Sequence, residues 1–282
     1  MKFQVHSELT YEVQQPSTLI LSIQALRTPG QTVLEENLEV EPYIRVEEIS
    51  SATSTHRFTR MEVTEPLTFT LSYRATVDVH YQEIDHDEKL GPVPVVQLDA
   101  DVIPFLFPSR YCQSDKLQRL AYNKFGQIGN PYLQVLAITD WIYDNVEYLS
   151  GSSNSQTSAF DTVTERVGVC RDFAHLGIAM CRALSIPARY FTGYSFKLDP
   201  PDFHACFEAY IGGHWIIFDA TRLAPLNGLV KIATSRDAAD AAVATTFGNV
   251  SLQSIRAGCE AVDKGFKPFW NDKNSLKGLS YQ

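Results

Sequence analysis

Several features are missing from this 282-residue sequence, and each absence excludes a class of function. The chain has no run of lysines and arginines and a formal net charge of −9, so neither nucleic acid nor an anionic membrane surface is expected as a partner. It contains no G-x-x-x-x-G-K-[ST] phosphate loop, no H-E-x-x-H zinc motif and no internal repeat. These absences give no indication of a cofactor, and none is expected.

The cysteine pattern and the first residues bear on the compartment. Five cysteines occur at irregular spacing without a C-x-x-C pair, which argues against a disulfide scaffold. Residues 1–13 alternate polar and apolar side chains, unlike the continuous apolar core of a secretory signal. No apolar stretch approaches the roughly 20 residues that span a bilayer. We therefore expect a reduced, soluble, cytoplasmic protein.

The first part of the chain has the period-2 alternation of β-strands. In the clearest run, Leu67, Phe69 and Leu71 alternate with Thr68 and Thr70. Short strands separated by turn signals are typical of a β-sandwich. Residues 1–85 are therefore predicted to form an all-β, sandwich-like domain. The candidate strands are Phe3–Val13, Thr18–Ala25, Tyr43–Ile49, Phe58–Val63 and Leu67–Tyr81.

The pattern changes after this region. Residues 86–109 are rich in acid and proline and are predicted to be a linker. From residue 110 onward helical and strand periods are mixed, which predicts an α+β domain over residues 110–282. The predicted helices are Tyr132–Val146, Cys170–Leu184 and a weaker piece at Ser235–Ala244. The predicted strands are Ala188–Phe196, His204–Ile211 and His214–Ala220.

Cys170 is the first candidate for chemistry, because it opens a predicted amphipathic helix. A helix N-terminus carries partial positive charge and free N–H groups, which favour a thiolate and could bind an oxyanion. On the helical wheel Arg171, His175 and Arg182 share a polar stripe that we expect to be exposed. The alternative for Cys170 is a buried structural cysteine, which is the usual fate of a free thiol.

The segment after this helix supplies two partners. Gly212-Gly213 separates two alternating runs and predicts a two-residue hairpin turn. That register makes His204 and Asp219 diagonal neighbours on one polar face, within reach of each other, while Ala205 and Phe207 begin a nearly pure apolar face. An aspartate in that position can hold one imidazole nitrogen and leave the other to face a nucleophile.

Cys170, His204 and Asp219 are therefore the predicted catalytic residues, in the roles of nucleophile, base and orienting acid. They lie 34 and 15 residues apart along the chain. A zinc site formed by these three with Cys206 is the metal alternative, since all four are zinc-ligand types. Their spacing matches no compact zinc motif, so no metal is expected.

The two segments GVCRDFAHLGIAMCRALSIPARYFTGY and HACFEAYIGGHWIIFDATR resemble the core of the transglutaminase-like family. That family is similar in fold to papain-like cysteine proteinases, with the cysteine at a helix N-terminus and the histidine and aspartate on adjacent strands. The resemblance assigns these positions to Cys170, His204 and Asp219. The first ~80 residues resemble the β-rich region that precedes this domain in bacterial members. Cys206 stands where the bacterial motif tends to have an aromatic residue.

The resemblance implies that a thiolate attacks a peptide, protein or small carboxamide substrate and forms a thioester, which water or an amine then resolves. Hydrolysis is expected, because no cross-linking target is evident. The alternative is a binding module that keeps the fold without catalysis; the presence of all three residues argues against it. Polar upstream residues, Gln156, Asn145 and Tyr148, are candidates for the oxyanion donor. The oligomeric state stays open.

Overall fold

The computed structural model describes residues 1–50, 56–85, 91–270 and 277–281. Within these ranges the helices are α1 (Ser114–Phe125), α2 (Pro131–Asn145), α3 (Ala159–Glu165) and α4 (Cys170–Ala183). The strands are β1 (Lys2–Val13), β2 (Ser17–Leu21), β3 (Gln31–Glu41), β4 (Val46–Ser50), β5 (Arg57–Val63), β6 (Leu67–Val79), β7 (Gln82–Asp85), β8 (Glu147–Tyr148), β9 (Val167–Gly168), β10 (Ala188–Ser195), β11 (His204–Ile211), β12 (His214–Phe218), β13 (Leu229–Ser235), β14 (Ala244–Phe247), β15 (Val250–Ala261) and β16 (Lys277–Ser280). None of the described helices has the length and apolar character needed to cross a bilayer.

The strands of the N-terminal region, together with β14 and β15, form two four-stranded antiparallel sheets, and the alternating pattern predicted the β-rich character of this region. One has the order β15–β1–β6–β3 and the other β14–β2–β5–β4. The inward-facing residues of β6, including Phe69, Leu71 and Tyr73, are fully buried, since alternate side chains point to one face of a strand. The β-rich part of the predicted fold is confirmed.

The second region is an α+β unit built on a six-stranded antiparallel sheet. Its strand order is β13–β10–β11–β12–β16–β7. Helix α4 packs across β11 and β10, and α1, α2 and α3 cover its other sides. The predicted mixed fold is confirmed, and it places the N-terminus of α4 next to the first residue of β11.

The enclosure of α4 corrects one expectation. The predicted exposed stripe is wrong for His175 and Arg182, which are buried. Arg182 is accommodated because its guanidinium donates to the carbonyl oxygens of Phe107, Ala188 and Arg236, so its buried charge is hydrogen-bonded. An amphipathic pattern identifies the most apolar face of a helix but cannot reveal that neighbours cover the polar face as well.

The predicted helix at Ser235–Ala244 is also wrong. The segment is irregular up to β14 because side chains bind its backbone N–H groups: Asp237 accepts from Ala239, and His175 Nε2 accepts from Ala238. Side-chain acceptors of this kind compete with helical hydrogen bonds. The local alanine content favours a helix, but these contacts impose a different backbone.

The two regions share strands. Strands β14 and β15 come from residues 244–261 yet complete the two N-terminal sheets, and β7 at residues 82–85 belongs to the six-stranded sheet. Within the predicted linker, buried Leu98 and Val102 pack on Trp215 of β12. The boundaries 1–85, 86–109 and 110–282 remain predictions. The structure adds that strands from each region belong to a sheet of the other region.

Candidate active site

The start of α4 is defined by local contacts around Cys170. The Asp172 carboxylate accepts a hydrogen bond from the Val169 N–H at 2.9 Å and so fixes the first turn. Gly168 makes room for that carboxyl group, because a Cβ there would lie 2.8 Å from the Cβ of Asp172. Cys170 is half-buried, whereas the other four cysteines are buried. The thiol that the sequence analysis selected is therefore the most accessible of the five.

A glycine sets the distance between this helix and the strand that carries His204. A Cβ on Gly177 would lie 2.4 Å from Cε1 of Phe207, so only glycine allows α4 to approach β11 this closely. Phe207 is itself fully buried and stacks on Phe218 of β12. This packing aligns the first turn of α4 with the beginning of β11.

The hairpin of β11 and β12 has the predicted register. Ile211 pairs with His214 and Phe207 with Phe218, and both turn glycines have positive φ. His204 and Asp219 are consequently diagonal neighbours, and His204 Nε2 lies 2.9 Å from Asp219 Oδ2. The predicted contact between the two side chains is confirmed.

The predicted division of the hairpin into an apolar and a polar face needs one correction. Both faces are buried, since Cys206 and Glu208 on the polar side are as inaccessible as Phe207. Glu208 is neutralised there by ion pairs with Arg189 and Lys231. The polar residues on this face therefore hold the sheet together rather than facing water.

Asp219 is held by three further donors. The N–H and hydroxyl of Thr221 donate to Oδ1 at 2.9 and 2.7 Å, and the N–H of Ala224 donates to Oδ2 at 3.3 Å. Burial alone would raise the pKa of this carboxyl group, but His204 and Thr221 stabilise the charged form, so its pKa lies below the usual value. Asp219 is thus a fixed carboxylate.

That carboxylate determines the charge of His204. Burial alone would lower the pKa of the imidazole, but the charge of Asp219 and its hydrogen bond, followed by the interaction with Cys170, raise it to about 10. Nε2 is engaged by Asp219, and Nδ1 is buried without a hydrogen bond of ordinary geometry. Nδ1 is therefore the ring atom left for Cys170; such contacts are often long in an enzyme without substrate.

The structure thus brings Cys170, His204 and Asp219 together. Cys206 is buried and pairs across the sheet with Phe191, and it does not line the cleft at Cys170. Burial raises its pKa well above that of an ordinary thiol. Within residues 1–50, 56–85, 91–270 and 277–281, no three His, Cys, Asp or Glu side chains converge in a metal-binding arrangement.

Of the three candidate oxyanion donors, Tyr148 is the one that interacts with the thiol residue. Partial burial of its phenol and the charge of the nearby Cys170 raise its pKa to about 12. The parallel pairing of Tyr148 with Gly168 places it there. Asn145 instead donates to the Trp141 carbonyl of its own helix, and Gln156 is exposed.

Cys170 and His204 line a cleft of about 390 Å³. One wall comes from the irregular segment at residues 238–244, rich in alanine, and another from Tyr11, Leu252 and Ile255 of the N-terminal sheet. Both regions of the molecule therefore contribute to the surface that a substrate would contact. A depression of this size with a few polar groups has the dimensions of a ligand site.

Comparison with known proteins identifies the family. Residues 1–101 match the bacterial transglutaminase N-terminal domain, and residues 118–220 match the transglutaminase-like superfamily. The crystal structure of "a Putative Cysteine Protease from Cytophaga hutchinsonii" is 68% identical, with a TM-score of 0.98 over 100% of this chain and 98% of that one.

Curated relatives match shorter segments. An uncharacterized protein of Mycobacterium leprae (strain TN) is 28% identical over 40% of this chain and 43% of its own length. Another, from Mycobacterium tuberculosis (strain H37Rv), is 40% identical over 25% of this chain and 23% of its own length. The match thus spans less than half of either relative. The family models and the Cytophaga structure together show that the chain belongs to the transglutaminase-like superfamily.

Proposed function

We propose that this protein is a thiol enzyme that cleaves or transfers the acyl group of a peptide or carboxamide through Cys170, His204 and Asp219. The observation that carries the proposal is the His204 ring, bound to Asp219 through Nε2 with Nδ1 turned to Cys170 at the start of α4. Nucleophile, base and orienting acid in this relation are what acyl transfer needs.

Acylation proceeds by attack of the Cys170 sulfur on the substrate carbonyl carbon. The carbonyl π-electrons move onto oxygen and give a tetrahedral oxyanion. As this collapses, the C–N bond breaks, and the leaving amine takes a proton from the His204 imidazolium. The products of this step are a free amine and a thioester on Cys170, with a neutral imidazole.

Deacylation uses the same residues in reverse. The neutral imidazole of His204 takes a proton from water or from an incoming amine as that nucleophile attacks the thioester carbonyl. Collapse of the second tetrahedral intermediate breaks the C–S bond and returns the thiolate–imidazolium pair. Water releases a carboxylic acid, and an amine releases a new amide; we propose water as the main acceptor.

The oxyanion is stabilised by groups at the start of α4. The Cys170 N–H lies at the positive end of the helix, and the Tyr148 side chain is near enough for the charge of Cys170 to act on it. We assign Tyr148 as the side-chain donor, displaced slightly by the substrate carbonyl and donating a hydrogen bond to the developing oxyanion. This role needs no charge on the phenol, in keeping with its raised pKa.

The test is covalent labelling by a peptide that carries an electrophilic amide isostere or activated ester. We expect one adduct per chain, mapped to Cys170 by mass spectrometry and absent from Cys170→Ala. Cys181→Ala is the matched control, because that thiol lies on the same helix but is fully buried. Equal labelling of Cys170→Ala and wild type would reject the assignment, and binding without labelling would favour the non-catalytic module.

A further inference from the structure

The cleft at Cys170 contains two charged side chains besides the imidazole of His204, Arg171 and Asp202. The rest of its described lining is aromatic, aliphatic or hydroxylic, with alanines along one wall. A charged group on a substrate would therefore depend on these two side chains. Their own hydrogen-bond partners decide which of them is available.

Arg171 is already engaged by the protein. Its Nη2 donates to the Asn154 carbonyl at 2.7 Å, and the guanidinium forms an ion pair with Asp172 at 3.2 Å. These contacts tie the segment before α3 to the first turn of α4. Since its charge is matched by a fully buried carboxylate, Arg171 offers little attraction to an anionic substrate.

Asp202 is available. Its one described hydrogen bond is to the neighbouring Phe203 N–H at 2.7 Å, and no Lys or Arg within the described ranges forms an ion pair with it. Surrounding protein atoms partly desolvate the carboxylate, which raises its pKa, while the side chain stays open to the cleft. A partly desolvated carboxylate gains from an incoming cation.

The position of Asp202 connects it with the reacting groups. It precedes His204 by two residues, and its charge acts on both His204 and Tyr148, the two side chains that also interact with Cys170. A substrate group bound by Asp202 would therefore lie beside the bond that Cys170 attacks. The net charge of −9 also attracts cationic ligands to the protein at long range.

We propose that the cleft is selective for peptides with a cationic group next to the cleaved bond, and that Asp202 is the carboxylate that binds this group. This inference rests on the proposed function for the bond cleaved, but the binding preference can be measured without turnover. An ammonium or guanidinium would make a charge-assisted hydrogen bond with the free carboxylate oxygen.

The experiment measures binding of matched peptides to the full-length Cys170→Ala protein. In the first set of pairs, lysine is compared with norleucine at one position at a time around the candidate bond. In a second pair, a peptide with a free N-terminus is compared with the same peptide acetylated at its N-terminus. The first set detects a side-chain ammonium and the second pair an α-ammonium. The same peptides are then tested on Cys170→Ala with Asp202→Asn, and on a control with Asp101→Asn, an exposed aspartate outside the cleft.

We expect one cationic peptide to bind about 3- to 10-fold more tightly than its neutral partner, because solvent partly screens a charge-assisted contact at an exposed carboxylate. Asp202→Asn should reduce that preference to less than about twofold, with little change for the neutral peptide, while Asp101→Asn leaves it intact. An equal preference with and without Asp202, or no cationic preference in any pair, overturns the proposal. Labelling of Cys170 in the wild-type protein tests the proposed function separately, so the two failures are distinguishable.

Discussion

Two fully buried histidines, His204 and His175, have opposite protonation behaviour. Burial lowers the pKa of His175 to about 3, and the nearby Asp237 does not reverse this. The pKa of His204 is raised to about 10 despite equal burial. The difference lies in direct contact: His204 Nε2 is 2.9 Å from a carboxylate oxygen, whereas His175 Nε2 accepts from the backbone N–H of Ala238.

The comparison shows that burial does not by itself set the protonation state of a histidine. His175 lies between Tyr111 and Tyr190 and acts as a neutral acceptor, which explains why desolvation prevails there. At His204 a hydrogen-bonded anion outweighs the same penalty. His175 therefore positions the segment at residues 238–244, which forms a wall of the cleft. His204 holds a proton beside Cys170.

Exchanging each histidine for glutamine tests this comparison with the largest expected effect. His204→Gln should lower kcat/KM by about 10⁶-fold, because loss of the base disables the whole triad. His175→Gln should keep kcat/KM within about tenfold and instead destabilise the fold by about 1–3 kcal/mol, the cost of disturbing a buried acceptor. Steady-state kinetics and urea unfolding measure the two effects. Equal losses of activity would contradict the division of roles.

Removing the Asp219 carboxylate should lower the pKa of His204 toward that of His175. Asp219→Asn is expected to lower kcat by about 10⁴-fold. The alkaline limb of the pH–rate profile, near pH 10 in wild type, should move down by more than one pH unit, because burial then dominates the pKa of His204. An unchanged alkaline limb would show that another group titrates there.

The same pair predicts how stability depends on pH. The pKa of His204 is raised from 6.5 to about 10, so its contribution is complete below about pH 6.5 and is lost as pH rises through about 10. The lowered pKa of Asp219 gives a contribution present above about pH 4 and lost as pH falls through its folded value. Asp219→Asn should flatten both trends in thermal unfolding measured across pH.

Tyr148→Phe removes the proposed oxyanion donor and leaves the proposed base, His204, in place. We expect kcat to fall about 10²- to 10³-fold with KM nearly unchanged, as for the loss of one oxyanion donor. The alkaline limb should stay near pH 10, since Asp219 and His204 are untouched. Tyr143→Phe, at an exposed tyrosine of α2, is the control. A rise in KM alone would mean that Tyr148 binds substrate without stabilising the transition state.

Gly177→Ala has the smallest expected effect. It changes the contact between α4, which carries Cys170 and His175, and β11, which carries His204. The added Cβ would meet the Phe207 ring at 2.4 Å, so we expect a loss of about 1–3 kcal/mol in unfolding free energy. Gly129→Ala is the matched control, because nothing lies within 4 Å of its Cβ. Equal stability of the two variants would contradict the close packing of α4 on β11.

Local patterns were enough to predict much of the fold and the contact between His204 and Asp219. Alternation identified β1, β5, β6 and β11, and the two-residue turn at Gly212-Gly213 fixed the register that joins His204 to Asp219. These features depend on residues near one another in sequence, where period and turn chemistry act directly. Helices α1 and α3 were missed, and so were strand β3, strands β7–β9 and strands β13–β16.

What the sequence could not reveal depends on contacts between distant segments. Tyr111, Tyr190 and the backbone of Ala238 surround His175, which is therefore buried although the helical pattern predicted an exposed residue. The return of β15 to β1 forms a wall of the cleft from Tyr11 and Leu252, which are 241 positions apart. Tyr148 could be chosen over Asn145 and Gln156 only once its pairing with Gly168 was known.

The most direct test of the account is an NMR titration of the histidine rings, with His204 and His175 assigned through their glutamine variants. We predict that His204 stays protonated through neutral pH and titrates near pH 10, while His175 stays neutral across the range in which the protein is folded. A His204 ring that titrates near 6.5, like an imidazole in water, would contradict the account.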